Sequence, residues 1–421
     1  MMPLNPIEQK VMERCDALLE DTLVLTEHLV REYSVLGQEQ RALGVMEAWL
    51  ESEGLPVERV GLDDGSLLVH PGYAPVSWSG VGRYSVVSRL NPESNKPHLV
   101  FNGHVDVVPA EPVDSWTQLP WEPWRKGGWL YGRGAGDMKA GVAAMSMAVK
   151  AVRDAGHPMD YPFTLQAVIE EECSGNGALA CVSRGYQGDF VLIPEPFGAR
   201  IYTGQVGVVR FKIEVEGTPA HVLDTSAGCD AIEAMQQLFP ALKALQEALN
   251  EERQPPYDAL EHPFNLNIGR FDGGNWASSV AAHAVIEGRI GFDPSTSPHS
   301  VMERLERAIL QAHTKLALPV KPPRVSFHGF RSEGHLVDLE HPGIALLSGC
   351  HESLTQQRPR HYLSTCTTDL RAFHQAGVPG TCYGPIADAI HGVDERVNIE
   401  SIRQTLKAYA LFMCRWGRQP H

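Results

Sequence analysis

At 421 residues the chain is longer than one hydrophobic core usually serves, so two domains are expected. Its 43% hydrophobic and 21% charged residues are those of an ordinary globular protein. A formal net charge of -15 argues against nucleic acid and against an anionic membrane surface as partners. No stretch approaches the roughly 20 apolar residues of a membrane span, and the first residues form no apolar leader, so the expected compartment is the cytoplasm. The eight cysteines are scattered with no CxxC pair, which suits free thiols in a reducing compartment.

From residue 6 to about 54 the apolar spacing is helical, through Val11, Leu18, Leu23, Leu29, Leu43, Met46 and Leu50. Short β-like runs follow at Ser85-Val86-Val87 and Leu99-Val100-Phe101. The second leads into Asn102-Gly103-His104-Val105-Asp106, a His and an Asp two positions apart. Trp116, Trp121, Trp124 and Trp129 then cluster, either as packing or as a wall of a substrate pocket. Next comes Tyr131-Gly132-Arg133-Gly134-Ala135-Gly136-Asp137-Met138-Lys139. Its glycines superficially suggest a phosphate loop, but an Asp follows them and no Lys-Ser/Thr ending is present, so nucleotide binding is not expected.

An Ala- and Met-rich helix is expected over 139–155. Strands are expected over 163–169, which runs into Glu170-Glu171-Glu172, and over 190–193, which runs into Glu195 between two prolines. Cys173, beside the acidic triplet, reads as a small buried filler. Strands alternating with helices predict a sheet covered on both faces, with its site at the carboxyl ends of the strands.

The texture changes near Gly207. Residues 208–216 alternate with period two, the pattern of a strand with one wet face. A helix over 231–251, strands over 265–271 and 284–292, a helix over 300–316 and a strand over 324–327 complete a β-α-β-β-α-β series, the ferredoxin-like unit. After about residue 332 the α/β texture returns, carries His391, and ends in a helix over 399–416. The expected organisation is a first segment of a catalytic domain at 1–207, an inserted unit at 208–331 and a second catalytic segment at 332–421. Carboxylates mixed with imidazoles and no thiolate suit zinc or its neighbours in a catalytic site.

These motifs, in this order, resemble the M20 metallopeptidases and amidohydrolases, a group that includes acetylornithine deacetylase, succinyl-diaminopimelate desuccinylase, aminoacylase-1 and glutamate carboxypeptidase. The resemblance rests on Gly103-His104-Val105-Asp106, on the Tyr131 to Lys139 motif and on the glutamate triplet. It implies an α/β, zinc-exopeptidase-like catalytic domain with a mixed sheet, interrupted by a ferredoxin-like lid that forms a homodimer. It also implies two zinc ions, with cobalt or manganese as substitutes. Asp137 would bridge them, His104 and Glu195 would complete one site, and Glu172 and His391 the other. Glu171 would be the general base toward a hydroxide shared by the ions, with Glu170 as the alternative. Asp106 would accept a hydrogen bond from His104 and fix its tautomer. His221 would reach the partner subunit's site and stabilise an oxyanion. Arg289, Asp369, Arg371 and Gly384 match positions near the substrate.

One departure is that Gly273-Gly274 is followed by Asn275-Trp276-Ala277-Ser278-Ser279-Val280, where family members often carry Asn-x-Ile-Pro. The expected activity is hydrolysis of the amide of a small N-acylated amino acid or amine, most like acetylornithine deacetylase. Alternatives are a dipeptidase, a desuccinylase and an N-formyl-amine deformylase, and more remotely a non-catalytic binding paralogue.

Overall fold

The computed structural model describes residues 3–316 and 318–418. The N-terminal helical run is three helices, Pro6–Ala17, Leu19–Arg31 and Gln40–Ser52. Asn5 starts the first, accepting from the N–H groups of Ile7 and Glu8 while Glu8 reciprocates to Asn5, a capping box.

A six-stranded mixed sheet follows, in the order Glu58–Gly61, Tyr84–Leu90, Phe163–Val168, Leu99–His104, Phe190–Ile193, Gly380–Cys382. The first two pairings are antiparallel and the remaining three parallel. Every residue of Leu99–His104, Phe163–Val168 and Phe190–Ile193 is buried, so both faces of these strands are covered. Helix Ala140–Asp154 packs on Leu99–His104, and helix Ile399–Trp416 packs in turn on Ala140–Asp154. The C-terminal segment therefore completes the core begun by the N-terminal one, with Phe101, Phe163 and Tyr409 in edge-on ring contacts.

A second apolar core lies in the chain between these segments. Its sheet runs Leu266–Gly273, His283–Phe292, Gly207–Glu216, Arg324–Ser326, all antiparallel, with Arg331–Ser332 also paired to Gly207–Glu216. With helices Ala231–Glu251 and Pro298–His313 packed together and on this sheet, this is the expected ferredoxin-like arrangement. In Gly207–Glu216, Phe211, Ile213 and Val215 are buried, whereas Arg210, Lys212 and Glu214 on the other face are only partly covered. Two of the clustered tryptophans serve as packing. Trp124 stacks on Tyr131 at 3.9 Å, and Trp116 donates to the Ala110 carbonyl at 2.8 Å. No described helix is long and apolar enough to cross a membrane.

Candidate metal centre

The parallel strands of the large sheet deliver acidic and imidazole side chains at their carboxyl ends. His104 is the last residue of Leu99–His104, residues 170–172 follow Phe163–Val168, and Glu195 follows Phe190–Ile193. Asp137 enters from an irregular turn, Ala135–Lys139, where its φ of -115° and ψ of 96° leave the helical region. His391 comes from the C-terminal segment with a left-handed φ of 62°, and Glu170 shares that region at 66°. Such backbone costs about 1–3 kcal/mol per residue and is concentrated at functional sites.

His104 is 1% exposed. Its Nδ1 donates to the Asp106 main-chain carbonyl at 3.0 Å, which leaves Nε2 as the nitrogen that could ligate, 3.2 Å from Asp137 Oδ1. His391 Nε2 lies 3.0 Å from Glu172 Oε1 and 3.6 Å from Asp137 Oδ2. Candidate ligand atoms of His104, Asp137 and Glu195 fall within 4.8 Å of one another, as do those of Asp137, Glu172 and His391. Asp137 is thus common to both sets, with one oxygen toward each imidazole. His104, Glu171 and Glu172 form a further set at the same range.

Burial, with neighbouring carboxylates adding to it and the His104 charge opposing it, holds Glu171 and Glu195 well above the usual carboxylate range. Burial opposes charge on the imidazoles too. Even so, the hydrogen bond to Asp137 and the charge of Asp106 raise His104, and Glu172 and Asp137 raise His391 to about 11. Carboxylates outnumber imidazoles in a largely buried site that opens to solvent at His391. That excess of negative charge is what a pair of divalent cations neutralises, and the oxygen and imidazole donors suit zinc, manganese or cobalt.

Asp106 accepts from His104 as expected, but through its main-chain carbonyl and not its carboxylate. Its carboxylate accepts from the N–H groups of Glu171 at 3.3 Å and Glu172 at 3.1 Å, while His104 Nδ1 stands 3.6 Å from Oδ1. The oxygens are turned toward two backbone donors, so the imidazole takes the Asp106 carbonyl instead. Asp106 therefore fixes the loop that bears Glu171 and Glu172. Glu170 is taken up by Arg83, Ser174 and the Trp78 indole, the last at 2.7 Å, which removes it as a base.

The remaining expected residues divide. Arg289, on His283–Phe292, is half-buried, its Nε has no hydrogen-bond partner, and burial lowers its pKa. It lines a cavity of about 400 Å³ with Arg210, Lys212, Asn267, His328 and Trp78. Asp369 and Arg371 are buried beside the centre. Neither Asp369 oxygen has a hydrogen-bond partner, and burial lifts its pKa to about 6, against the pull of Arg371. His221 is exposed and outside the cluster, its Nδ1 accepting from the Leu223 N–H at 3.0 Å. Gly384 packs on the Glu195 loop. A Cβ there would lie 2.3 Å from the carbonyl oxygens of both Glu195 and Pro194. Gly384→Ala is expected to cost about 1–3 kcal/mol by overpacking and to loosen metal binding through Glu195. Urea unfolding and metal titration of the variant check this.

Two functional residues escaped the sequence reading. Glu395, fully buried and paired with Arg133, accepts from the N–H groups of Gly136 at 2.9 Å and Asp137 at 3.0 Å, and so aims the shared aspartate. Arg83 spans Glu39 and Glu170 and anchors the triplet from behind.

The sequence profile of peptidase family M20/M25/M40 matches residues 100–415. The chain is 29% identical over 359 residues to N-formyl-4-amino-5-aminomethyl-2-methylpyrimidine deformylase of Bacillus subtilis, covering 80% of this chain and 83% of that one. It is 30% identical over 321 residues to succinyl-diaminopimelate desuccinylase of Variovorax paradoxus, covering 73% and 78%. Among solved structures, a dipeptidase from Saccharomyces cerevisiae superposes with a TM-score of 0.84 at 14% identity, over 98% of this chain and 99% of that one.

Proposed function

The chain belongs to peptidase family M20/M25/M40 and is a hydrolase of amide bonds, and from that premise we propose a dinuclear enzyme that deacylates a small N-acylated amine. The observation that carries this reading is the position of Asp137, one oxygen 3.2 Å from His104 and the other 3.6 Å from His391. In this reading His104, Asp137 and Glu195 hold one ion, and Asp137, Glu172 and His391 the other. Zinc is the first choice on donor chemistry. Bound there, the ions supply Lewis acidity toward the amide carbonyl and the attacking water.

Glu171 takes the proton of the attacking water and returns it to the leaving amine. Asp106 holds the Glu171 and Glu172 amides in place, and Glu395 does the same for Asp137. Arg289 and Arg210 are directly opposite each other on paired strands, and Asn267 is opposite Arg289 on the far side. Like charges set side by side are unfavourable without a counterion; Arg210 is taken up by the Glu172 carbonyl, so Arg289, whose Nε has no partner, is the one that suits an anionic group on the substrate. The names of the relatives put formyl and succinyl ahead of the acetyl group expected from the motifs. A panel of N-formyl, N-succinyl and N-acetyl amines and dipeptides, with zinc or cobalt added, tests the assignment. No turnover of any of them by metal-loaded protein would refute it.

We further read residues 1–207 and 332–421 as the catalytic domain and 208–331 as a lid through which two copies associate. All eight cysteines are free, in keeping with a cytoplasmic enzyme. The Leu223 N–H occupies His221 Nδ1, so the neutral imidazole carries its proton on Nε2 and offers a donor. Delivered to the partner subunit's site, it stabilises the oxyanion of the tetrahedral intermediate. His221→Ala is expected to lower kcat about 10²–10³-fold in an intact dimer with unchanged metal content. Unaltered kinetics in such a dimer would remove the role.

A further inference from the structure

We propose that Arg210 is a positioning residue: the lid, through Arg210 and the Gly329-Phe330 strap, holds the loop that presents Glu171 and Glu172, and so sets the second metal site. The inference rests on the metal assignment above. Its evidence is a run of three consecutive main-chain carbonyls. The Glu172 carbonyl accepts from Arg210 Nη2 at 2.6 Å. The Cys173 carbonyl accepts from the Phe330 N–H at 3.1 Å. The Ser174 carbonyl accepts from Arg371. The first two donors belong to the lid.

The strap is built for this contact. Arg210 donates its own N–H to the Phe330 carbonyl at 2.9 Å, and the Gly329 N–H reaches the Pro75 carbonyl at 2.7 Å. The Phe330 ring lies 5.1 Å from the Arg210 guanidinium and 4.5 Å from that of Arg371. Gly329 has a φ of 75°, and a Cβ on it would stand 2.7 Å from the Cys173 carbonyl oxygen. Only glycine permits both that backbone and that approach.

The two sides of the loop are therefore gripped by different parts of the molecule. Asp106, from the catalytic domain, holds the Glu171 and Glu172 N–H groups. Arg210 and Phe330, from the lid, hold the carbonyls that follow. Buried carbonyls demand partners, and a guanidinium donor makes the stronger, charge-assisted kind of bond. Rotation of the peptide after Glu172 would move its carboxylate away from His391. The lid's attachment point is thereby tied to the geometry of one metal site and of the base, and not to the site formed by His104 and Glu195.

Zinc titration of the full-length protein, read by calorimetry and by bound metal per chain, tests this with two variants. Arg210→Met removes the donor while keeping bulk, and Gly329→Ala pushes the strap away from the other end. Each is expected to weaken one of two zinc sites about 10–100-fold, the range for residues that orient ligands, and to leave the other within threefold. Each should lower kcat with KM little changed. Arg210→Lys, which keeps a cationic donor, should recover part of the loss. A rise in KM alone, with both zinc affinities and kcat as in the parent, would make Arg210 a substrate contact and overturn the proposal. Equal weakening of both sites would also overturn it. If Arg210→Met does not fold, Gly329→Ala carries the test. A parent protein that binds no zinc in the same titration would instead refute the metal assignment.

Discussion

Glu171→Gln should retain two ions per chain and lose about two to four orders of magnitude in kcat, the usual worth of a positioned general base. The substitution keeps the size of the side chain and the main-chain bond to Asp106, which the Glu171 N–H makes at 3.3 Å. It removes only the ability to accept a proton. The experiment has a second edge, because Glu171 Oε2 is 3.9 Å from His104 Nε2 and lies within ligand range of His104 and Glu172. If the variant loses an ion, Glu171 is a ligand and the base must be sought elsewhere. If it keeps both ions and turns over at the parent rate, the mechanism is wrong. Metal analysis alongside single-turnover kinetics separates the three cases.

Chelation should abolish turnover and lower the melting temperature, and added zinc should restore both. Without cations, the carboxylates of Asp137, Glu171, Glu172 and Glu195, two of them buried and two half-buried, crowd together with only the imidazoles of His104 and His391 to offset them within the cluster. An ion present at 100 times its Kd stabilises the folded state by about 2.7 kcal/mol, provided the unfolded chain does not bind it. Ligation requires neutral imidazole and ionised carboxylate, so zinc binding should release protons and strengthen as pH rises. Differential scanning calorimetry with and without chelator, and calorimetric titration in buffers of different ionisation enthalpy, measure these effects. A fully active protein free of metal is incompatible with the proposed centre.

Most of the residues gathered at the centre were legible because they end or follow apolar runs. The apolar runs ending at His104, before the triplet and before Glu195 are central strands of the sheet. The period-two alternation of 208–216 likewise marked a strand with one wet face, and the ferredoxin-like order followed from the sequence of periods. What could not be read are the partners of those ligands. Nothing near Glu395 distinguishes it from a surface acid, since its role depends on a hydrogen bond to Gly136 across 259 positions. The resemblance gives the Asp106 side chain to His104, two positions earlier, whereas its carboxylate turns to amides 65 and 66 positions away. Arg210 looked like one of several polar residues on a wet strand face. The helical spacing over residues 6–54 is met by three helices, divided at Leu18 and by the stretch 32–39.

The discontinuous construction of the sheet dictates when the enzyme can come to life. A nascent chain that has emerged through Ser332 has His104, Asp137 and Glu195 in hand, yet lacks His391, which must return across 219 positions to Glu172. It also lacks Glu395 and the helix Ile399–Trp416 that seats this segment on Ala140–Asp154. In the proposed assignment, both metal sites can therefore be complete only once residues 332–416 have been made and have docked on the first segment.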